Sequence, residues 1–223
     1  MKLFKHNLMN YYPTKLRLVG TGVIVIFITT LLSFQSKTNN DIASIKISTQ
    51  LWATKNLDIS TFRNGDTIPE IESQDEFYHA GLNGKPAWCY YNGDPANGKK
   101  YGKLYNWYAV VDSRDLAPQG WHIPTDEEWT ILTTYLGGDT IAGKKMKSAK
   151  EWDGNNSSGF NALPAGFSCP LPSNSLGMVA YFWAATEYSS RAAWGRHLDI
   201  GIAQSGRGAN SKSIGNSVRC LKD

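Results

Sequence analysis

The sequence has little of what metal and thiol chemistry require. It contains three cysteines and four histidines, and no pair of them has the spacing of a zinc site. It also lacks the Gly-x-Ser-x-Gly motif that presents a nucleophilic serine in many hydrolases, and it has no internal repeat. These absences argue against a zinc protein, that hydrolase class and a repeat architecture. We predict no metal, no cofactor and no catalytic residues.

The body of the chain also lacks an excess of charge of either sign. The formal net charge is +4, but four cations lie in the first 36 residues, which contain no acid. Residues 37–223 therefore hold 19 basic and 19 acidic side chains. A protein that binds nucleic acid through its phosphates needs a basic excess, so we expect no nucleic-acid partner. Aromatic residues make up 12% of the chain, which is typical of a globular domain with a large core.

One long hydrophobic run is present near the N-terminus. Residues 18–34 carry no charge over 17 positions, and a positively charged flank precedes them. This pattern is typical of a secretory signal peptide or a short membrane anchor. No small-x-small cleavage site follows, and no cysteine follows that can carry a lipid, so both alternatives stay open. We expect residues 1–36 to export the body to the periplasm or cell surface and to be its only contact with the membrane.

Periodicity predicts the first elements of the body. Residues 37–45 are read as a polar linker that leads into a first strand, because residues 43–48 alternate apolar and polar side chains. Residues 90–102 are rich in glycine and asparagine, and we predict a loop there. A first helix is then predicted by three apolar residues at helical spacing: Leu104, Tyr108 and Val111.

A second helix has the clearest start in the chain. Thr125-x-x-Glu128 is a capping box, in which the side chain of each residue can satisfy the backbone amide of the other. Gly137 ends the helix. Its core face is predicted to hold Trp129, Leu132 and Leu136.

The second half of the body predicts strands instead of helices. Short apolar segments alternate there with glycine-rich turns, at residues 180–186, 196–202 and 216–222. Two early helices and a strand-rich C-terminal half predict an α+β fold.

Six stretches carry a family resemblance. They are "QLWATKNLDISTFRNGDTIPEI", the long run over residues 87–138, "KKMKSAKEW", "GFNALPAGF", "FWAATEY" and "NSVRCLKD". In this order they resemble the Fibrobacter succinogenes major paralogous domain, a family of exported bacterial modules, over residues 46–222. The family is similar to C-type-lectin-like folds. The resemblance therefore implies two helices packed on a strand-rich, loop-rich half.

The resemblance implies location and fold more than chemistry, because the activity of the family is largely undefined. Our leading hypothesis is a non-enzymatic binding or interaction module of the cell envelope, whose ligand is a glycan or another surface protein. An exported hydrolase acting on polysaccharide and a purely structural surface protein are the alternatives. Residues 199–213, rich in glycine, serine and asparagine, are read as a loop that presents contacts.

Aromatic side chains carry the ligand hypothesis, because flat rings with polar edges can stack on sugars. The candidate ligand-binding residues are Trp183, Trp194 and Arg196. Trp194 lies in a stretch crowded with serine, arginine and glycine, which favours exposure. The "FWAATEY" segment, Gly195 and Cys169 depart from the family pattern. A binding face that includes them would differ from that of the relatives.

Two other features are predicted to be structural. Residues 92–98 offer one carboxylate, which is poor provision for a calcium ion that takes about six to eight oxygen ligands, and we predict a turn. His122 directly precedes the capping box and is predicted to be a structural histidine bonded to backbone. A metal ligand or a catalytic base is the alternative.

The cysteines are interpreted through the resemblance. In lectin-like folds the C-terminal strand is often tied to an early segment. This implies a Cys89–Cys220 disulfide in the exported protein and leaves Cys169 outside it. The alternative is that all three cysteines stay reduced and buried as small hydrophobic side chains.

Overall fold

The computed structural model describes residues 42–170 and 175–223, which form one α+β unit of five helices and three sheets. The α+β class is thereby confirmed. The predicted export segment, residues 1–36, lies outside the described residues, so its export role stays a prediction. None of the helices in the described ranges is both long and apolar enough to cross a membrane.

The bounds of the elements are as follows. The helices are α1 (Gln74–Leu82), α2 (Pro95–Tyr101), α3 (Trp107–Val110), α4 (Asp126–Tyr135) and α5 (Asp139–Met146). The strands are β1 (Ser44–Ile47), β2 (Gln50–Ala53), β3 (Trp88–Cys89), β4 (Leu104–Tyr105), β5 (Trp121–His122), β6 (Val179–Ser189), β7 (Ala192–Asp199), β8 (Ser205–Ser211) and β9 (Leu221–Lys222). The sheet orders are β1-β2-β9-β5, β3-β4 and β6-β7-β8.

The four-stranded sheet brings the two ends of the described domain together. β9 lies between β2 and β5, and Leu221 is opposite Trp52 on one side and His122 on the other. The predicted first strand is confirmed as β1. The predicted C-terminal strand is confirmed only as the two-residue β9, because Asn216 and Ser217 make isolated bridges to other parts of the chain.

Helix α4 starts and packs as the sequence predicts. The Thr125 hydroxyl accepts a hydrogen bond from the Glu128 amide at 3.2 Å, and the Glu128 carboxylate accepts one from the Thr125 amide at 2.8 Å. Trp129 is fully buried, and its ring centroid lies 4.7 Å from that of Trp52 and 5.8 Å from that of Phe160. The helix is therefore fixed against the core by its first two turns.

The predicted loop over residues 90–102 is wrong. It contains a 3-10 turn, Tyr91–Gly93, followed by α2. The side chain of Asp94 accepts from the Ala96 amide at 2.9 Å, and Pro95 occupies the first turn of the helix. A capping aspartate before a proline is a helix-start signal, and the abundance of glycine and asparagine concealed it.

Two further predictions fail because of long-range pairing. The predicted helix from residue 103 begins as β4, since Leu104 pairs with Cys89, and only the short α3 follows after the cap Asn106. The predicted loop over residues 199–213 contains β8, which pairs with β7 along its whole length. Helix α1, capped by Ser73, was not predicted.

Candidate ligand-binding site

The sheet β6-β7-β8 carries all three predicted ligand-binding residues. Trp194 and Arg196 are two positions apart on β7, so their side chains leave the same face. Arg207 on β8 is directly opposite Arg196 and shares that face. Trp183 on β6 pairs with Gly195 and therefore projects from the other face. The sheet thus separates the three candidates into two groups.

Arg196 is buried and serves the fold. Its side chain is 1% exposed and is ion-paired with the carboxylate of Asp126, the first residue of α4. It also donates to the Asp126 carbonyl at 3.0 Å and to the Thr130 hydroxyl at 2.9 Å. The prediction that Arg196 contacts a ligand is wrong, because its guanidinium clamps the start of α4 to the sheet.

The Asp126 carboxylate is the centre of this clamp. It accepts hydrogen bonds from both Arg196 and Arg207. Burial alone raises the pKa of Asp126, but the hydrogen bonds from the two arginines lower it more, so the pKa lies below its ordinary value. The carboxylate is therefore ionised at neutral pH and holds two cations on one face of the sheet.

Trp183 is also part of the core. Its side chain is fully buried, and its indole N–H donates to the carbonyl of Tyr105 at 2.7 Å. No face of the ring is open to a ligand, so the prediction for this residue is wrong.

Trp194 is the predicted residue that keeps access to solvent. The ring is half-buried, and the guanidinium carbon of Arg207 lies 3.4 Å from its centroid. The ring of Tyr188, a residue that is 57% exposed, meets it edge-on at 4.7 Å between centroids. We refer to Tyr188, Trp194 and Arg207 as the Trp194 cluster.

Sequence reasoning missed Tyr188 and Arg207. Arg207 meets Trp194 only through the antiparallel register of β7 and β8. The register of β6 shifts between Trp183 and Glu187 and again between Glu187 and Ser189, at the point where Tyr188 contacts Trp194. Local periodicity predicts neither the register of two strands nor the position of a β-bulge. The sequence signal for Tyr188 was only that it is an aromatic residue six positions before Trp194.

A family model, described as the Fibrobacter succinogenes major domain, matches residues 45–222. This chain belongs to that family. The resemblance seen in the sequence is thus confirmed. No curated protein and no solved structure matched the chain.

The backbone at Gly195, a position that the resemblance sets apart, is crowded by neighbouring atoms. A Cβ atom at this position would lie 2.7 Å from the Phe182 carbonyl oxygen and 2.7 Å from the Asn210 side-chain nitrogen. A larger side chain, such as an aromatic one, therefore has no room at this position. Gly208 is directly opposite on β8, so the two strands present bare backbone at this point of the sheet.

The predicted disulfide is not present in the family domain. Cys89 and Cys220 are both free and buried, and they belong to separate core clusters. Burial raises the pKa of each thiol to about 12. The prediction of a bridge is therefore wrong, and these two cysteines pack as small hydrophobic side chains.

His122 is held by side chains and not by the predicted backbone groups. Its Nδ1 lies 2.8 Å from an oxygen of Asp223, and its Nε2 lies 3.0 Å from an oxygen of Glu128. Burial lowers the pKa of His122, but the two carboxylates raise it more, so the net shift is upward. The ring ties the C-terminal residue to the capping box. In the described ranges, no three acidic, histidine or cysteine side chains group as metal ligands.

Proposed function

We propose that this family domain is a non-enzymatic binding module of the cell envelope and that the Trp194 cluster contacts a glycan. The observation that carries the proposal is the half-buried Trp194 ring beside the exposed Tyr188. Six of the eight tryptophans are buried, and the other two, Trp152 and Trp194, each pack against a cation. Of these two, Trp194 is the one that contacts an exposed aromatic ring among the described residues, that of Tyr188. Trp194 is thus the tryptophan best able to offer an apolar surface to the C–H face of a sugar.

The polar component of the proposed site is Arg207. Its Nε and Nη2 atoms are bonded to the Asp126 carboxylate at 3.0 and 2.8 Å. Its Nη1 makes no hydrogen bond to any residue that the structure describes, and 41% of the side chain is exposed. A rigid guanidinium with a donor to spare suits a sugar hydroxyl, because little conformational freedom is lost when the ligand binds.

We also propose that the architecture is C-type-lectin-like. Two observations support it: β2, near the N-terminal end of the described domain, is adjacent to the C-terminal strand β9 in one sheet, and a separate antiparallel sheet lies in the C-terminal half. The lectin-like class makes a site on the second sheet reasonable, but the glycan proposal rests on the Trp194 cluster.

The export that the proposal requires depends on residues 1–36. Protease added to intact spheroplasts should digest the body, because an exported domain lies outside the cytoplasmic membrane. Protection of the body in intact spheroplasts, with digestion after lysis, would contradict export.

A glycan array and a sugar-release assay on the same purified protein test the function. We expect saturable binding to at least one glycan without release of product. Tyr188→Ala should weaken this binding about tenfold, or roughly 1.4 kcal/mol, because it removes one of the two rings. Tyr135→Ala is the matched control, since Tyr135 is a 61% exposed tyrosine on the last turn of α4.

Three outcomes separate the alternatives. Equal losses in the Tyr188 and Tyr135 variants would contradict a site at the Trp194 cluster. Release of product from a polysaccharide would favour the hydrolase. If the protein neither binds a glycan on the array nor releases sugar, a structural surface protein would be favoured.

A further inference from the structure

The described part of the chain buries five cationic side chains almost completely: Lys103, Lys147, Arg196, Lys212 and Arg219. Four of them have a carboxylate partner, in the pairs Lys103–Asp58, Lys147–Asp153, Arg196–Asp126 and Lys212–Glu187. Arg219 has no carboxylate within ion-pair distance among the residues described. Among the described residues, buried cations are thus paired with carboxylates, and Arg219 is the exception.

The hydrogen-bond partners of Arg219 are neutral oxygens, and its guanidinium carbon lies 4.3 Å from the centroid of the Phe160 ring. Nη1 donates to the carbonyls of Ala53 at 3.0 Å and Phe160 at 2.6 Å, and Nε and Nη2 donate to the side-chain oxygen of Asn56 at 3.2 and 2.9 Å. A guanidinium has five N–H groups. One hydrogen on Nη2 is therefore left without a partner in the described chain. Burial lowers the pKa of Arg219 to about 9, which leaves the group charged at neutral pH.

Arg219 lines a cleft of about 290 Å³, and further positively charged side chains line the same cleft. Its wall is formed by the segment after β2, the end of α2 and the segment at residues 161–163. The charged lining residues are Lys55, Asp58, Lys99, Lys100 and Arg219.

The acids near the cleft do not neutralise it. Asp58 is engaged by the buried Lys103, and Lys100 is engaged by Glu151 at 2.6 Å. Lys55 and Lys99 are exposed, and neither has an ion-pair partner within residues 42–170 and 175–223. Two free ammonium groups thus share one cleft with a buried guanidinium.

We propose that this cleft binds an oxyanion, a carboxylate, sulfate or phosphate group carried by a small ligand. A buried charge without a counter-ion is costly, and an anion in the cleft that Arg219 lines offsets that cost. The volume is at the lower end of ligand pockets, which suits a single charged group with a ring-sized substituent. The cleft contains no residue of the Trp194 cluster, so anion binding here does not depend on glycan binding there.

Titration with simple anions tests the site on the full chain. Sodium sulfate, phosphate and acetate are compared at constant low ionic strength, with chloride as the balancing salt, and binding is followed by amide shifts in an NMR spectrum. We expect saturable shifts near Tyr101, Gly102 and Asn161. The strongest of the three anions identifies the chemistry: acetate points to a carboxylate, and sulfate or phosphate to a tetrahedral group.

A charge variant with a matched control decides whether the cleft is the site. The double variant Lys55→Ala/Lys99→Ala should raise the Kd of the best anion about five- to tenfold, because it removes both free ammonium groups. Lys85→Ala, at another exposed lysine outside the cleft, should leave the Kd within about twofold. The absence of saturable binding, or equal weakening in both proteins, would overturn the proposal.

The role of Arg219 itself needs a separate readout, since its loss affects folding. For the wild-type protein, the midpoint of thermal unfolding should rise more with the best anion than with chloride of the same ionic strength. In Arg219→Met this specific rise should disappear, and if that variant does not fold, the lysine double variant should show a clearly smaller rise than the wild type. An undiminished rise in the folded variant would show that the anion binds elsewhere.

Discussion

Replacing Asp126 by asparagine should destabilise the domain far more than its position on a helix surface suggests. The substitution keeps the size of the side chain but removes the charge that faces Arg196, which is 1% exposed. Loss of one partner of a buried ion pair costs about 3–5 kcal/mol. Because asparagine keeps one oxygen that can accept a hydrogen bond, we expect the lower end, about 3 kcal/mol.

The matched control is Glu127→Gln. Glu127 is the next residue, is exposed, and makes no ion pair to any described residue, but it shares the first turn of α4. Its loss should cost about 0.3–1 kcal/mol through the helix dipole alone. Urea unfolding measures both variants. For a domain of this size, about 3 kcal/mol corresponds to a fall of roughly 6–12 °C in the midpoint of thermal unfolding.

The difference in unfolding free energy between the wild type and Asp126→Asn should also depend on pH, and its direction follows from the pKa of Asp126. The pKa of Asp126 is lowered in the folded protein, so its stabilising contribution is present above the unfolded value of about 3.9. It is lost as the pH falls through the folded pKa. The unfolding free energies of the wild type and Asp126→Asn should therefore converge in strong acid. Equal costs for the Asp126 and Glu127 variants at pH 7, or a gap that persists at pH 2, would refute the reasoning.

Three other results are expected. In urea unfolding, Thr125→Ala should lower the free energy of unfolding by about 1 kcal/mol, because it removes the cap of α4. Trp129→Ala should lower it by about 3–5 kcal/mol, because it opens a cavity in the core. Equal small losses in the two variants would mean that the helix is misplaced. Cys89 and Cys220 should alkylate only after unfolding, because burial raises the pKa of each to about 12, and a linked peptide in a non-reducing map would contradict this. The raised pKa of His122 means that its contribution is full below about pH 6.5 and is lost as the pH rises through the folded pKa. His122→Gln should flatten the fall in unfolding free energy over that range, and an unchanged pH profile would speak against the carboxylate pairs.

Part of the candidate site was visible in the sequence. Trp194 could be singled out because polar and small residues surround it, and the structure leaves its ring only half-buried. Trp183 and Arg196 could not be judged in the same way. Each is covered by a segment distant in the sequence, Trp183 beside the carbonyl of Tyr105 and Arg196 at the start of α4, and a residue type does not show which segment will cover it. The ion pair of Arg196 joins positions 70 residues apart, and its existence depends on how α4 lies on the sheet.

Short sequence patterns predicted the elements that depend on interactions between residues close in the sequence. The start of α4 follows from four consecutive residues, since a capping box satisfies its own backbone amides, and strand β1 follows from simple alternation. The family pattern was likewise readable from six stretches of sequence. Only the tertiary structure decided the rest. Leu104 is extended because it pairs with Cys89, and Arg207 meets Trp194 because β7 and β8 share a register. Among the described residues, folding places neutral oxygens and no carboxylate beside the Arg219 guanidinium. These features are set by contacts between distant segments, whose free energy outweighs local propensity and leaves no trace in any short window of the chain.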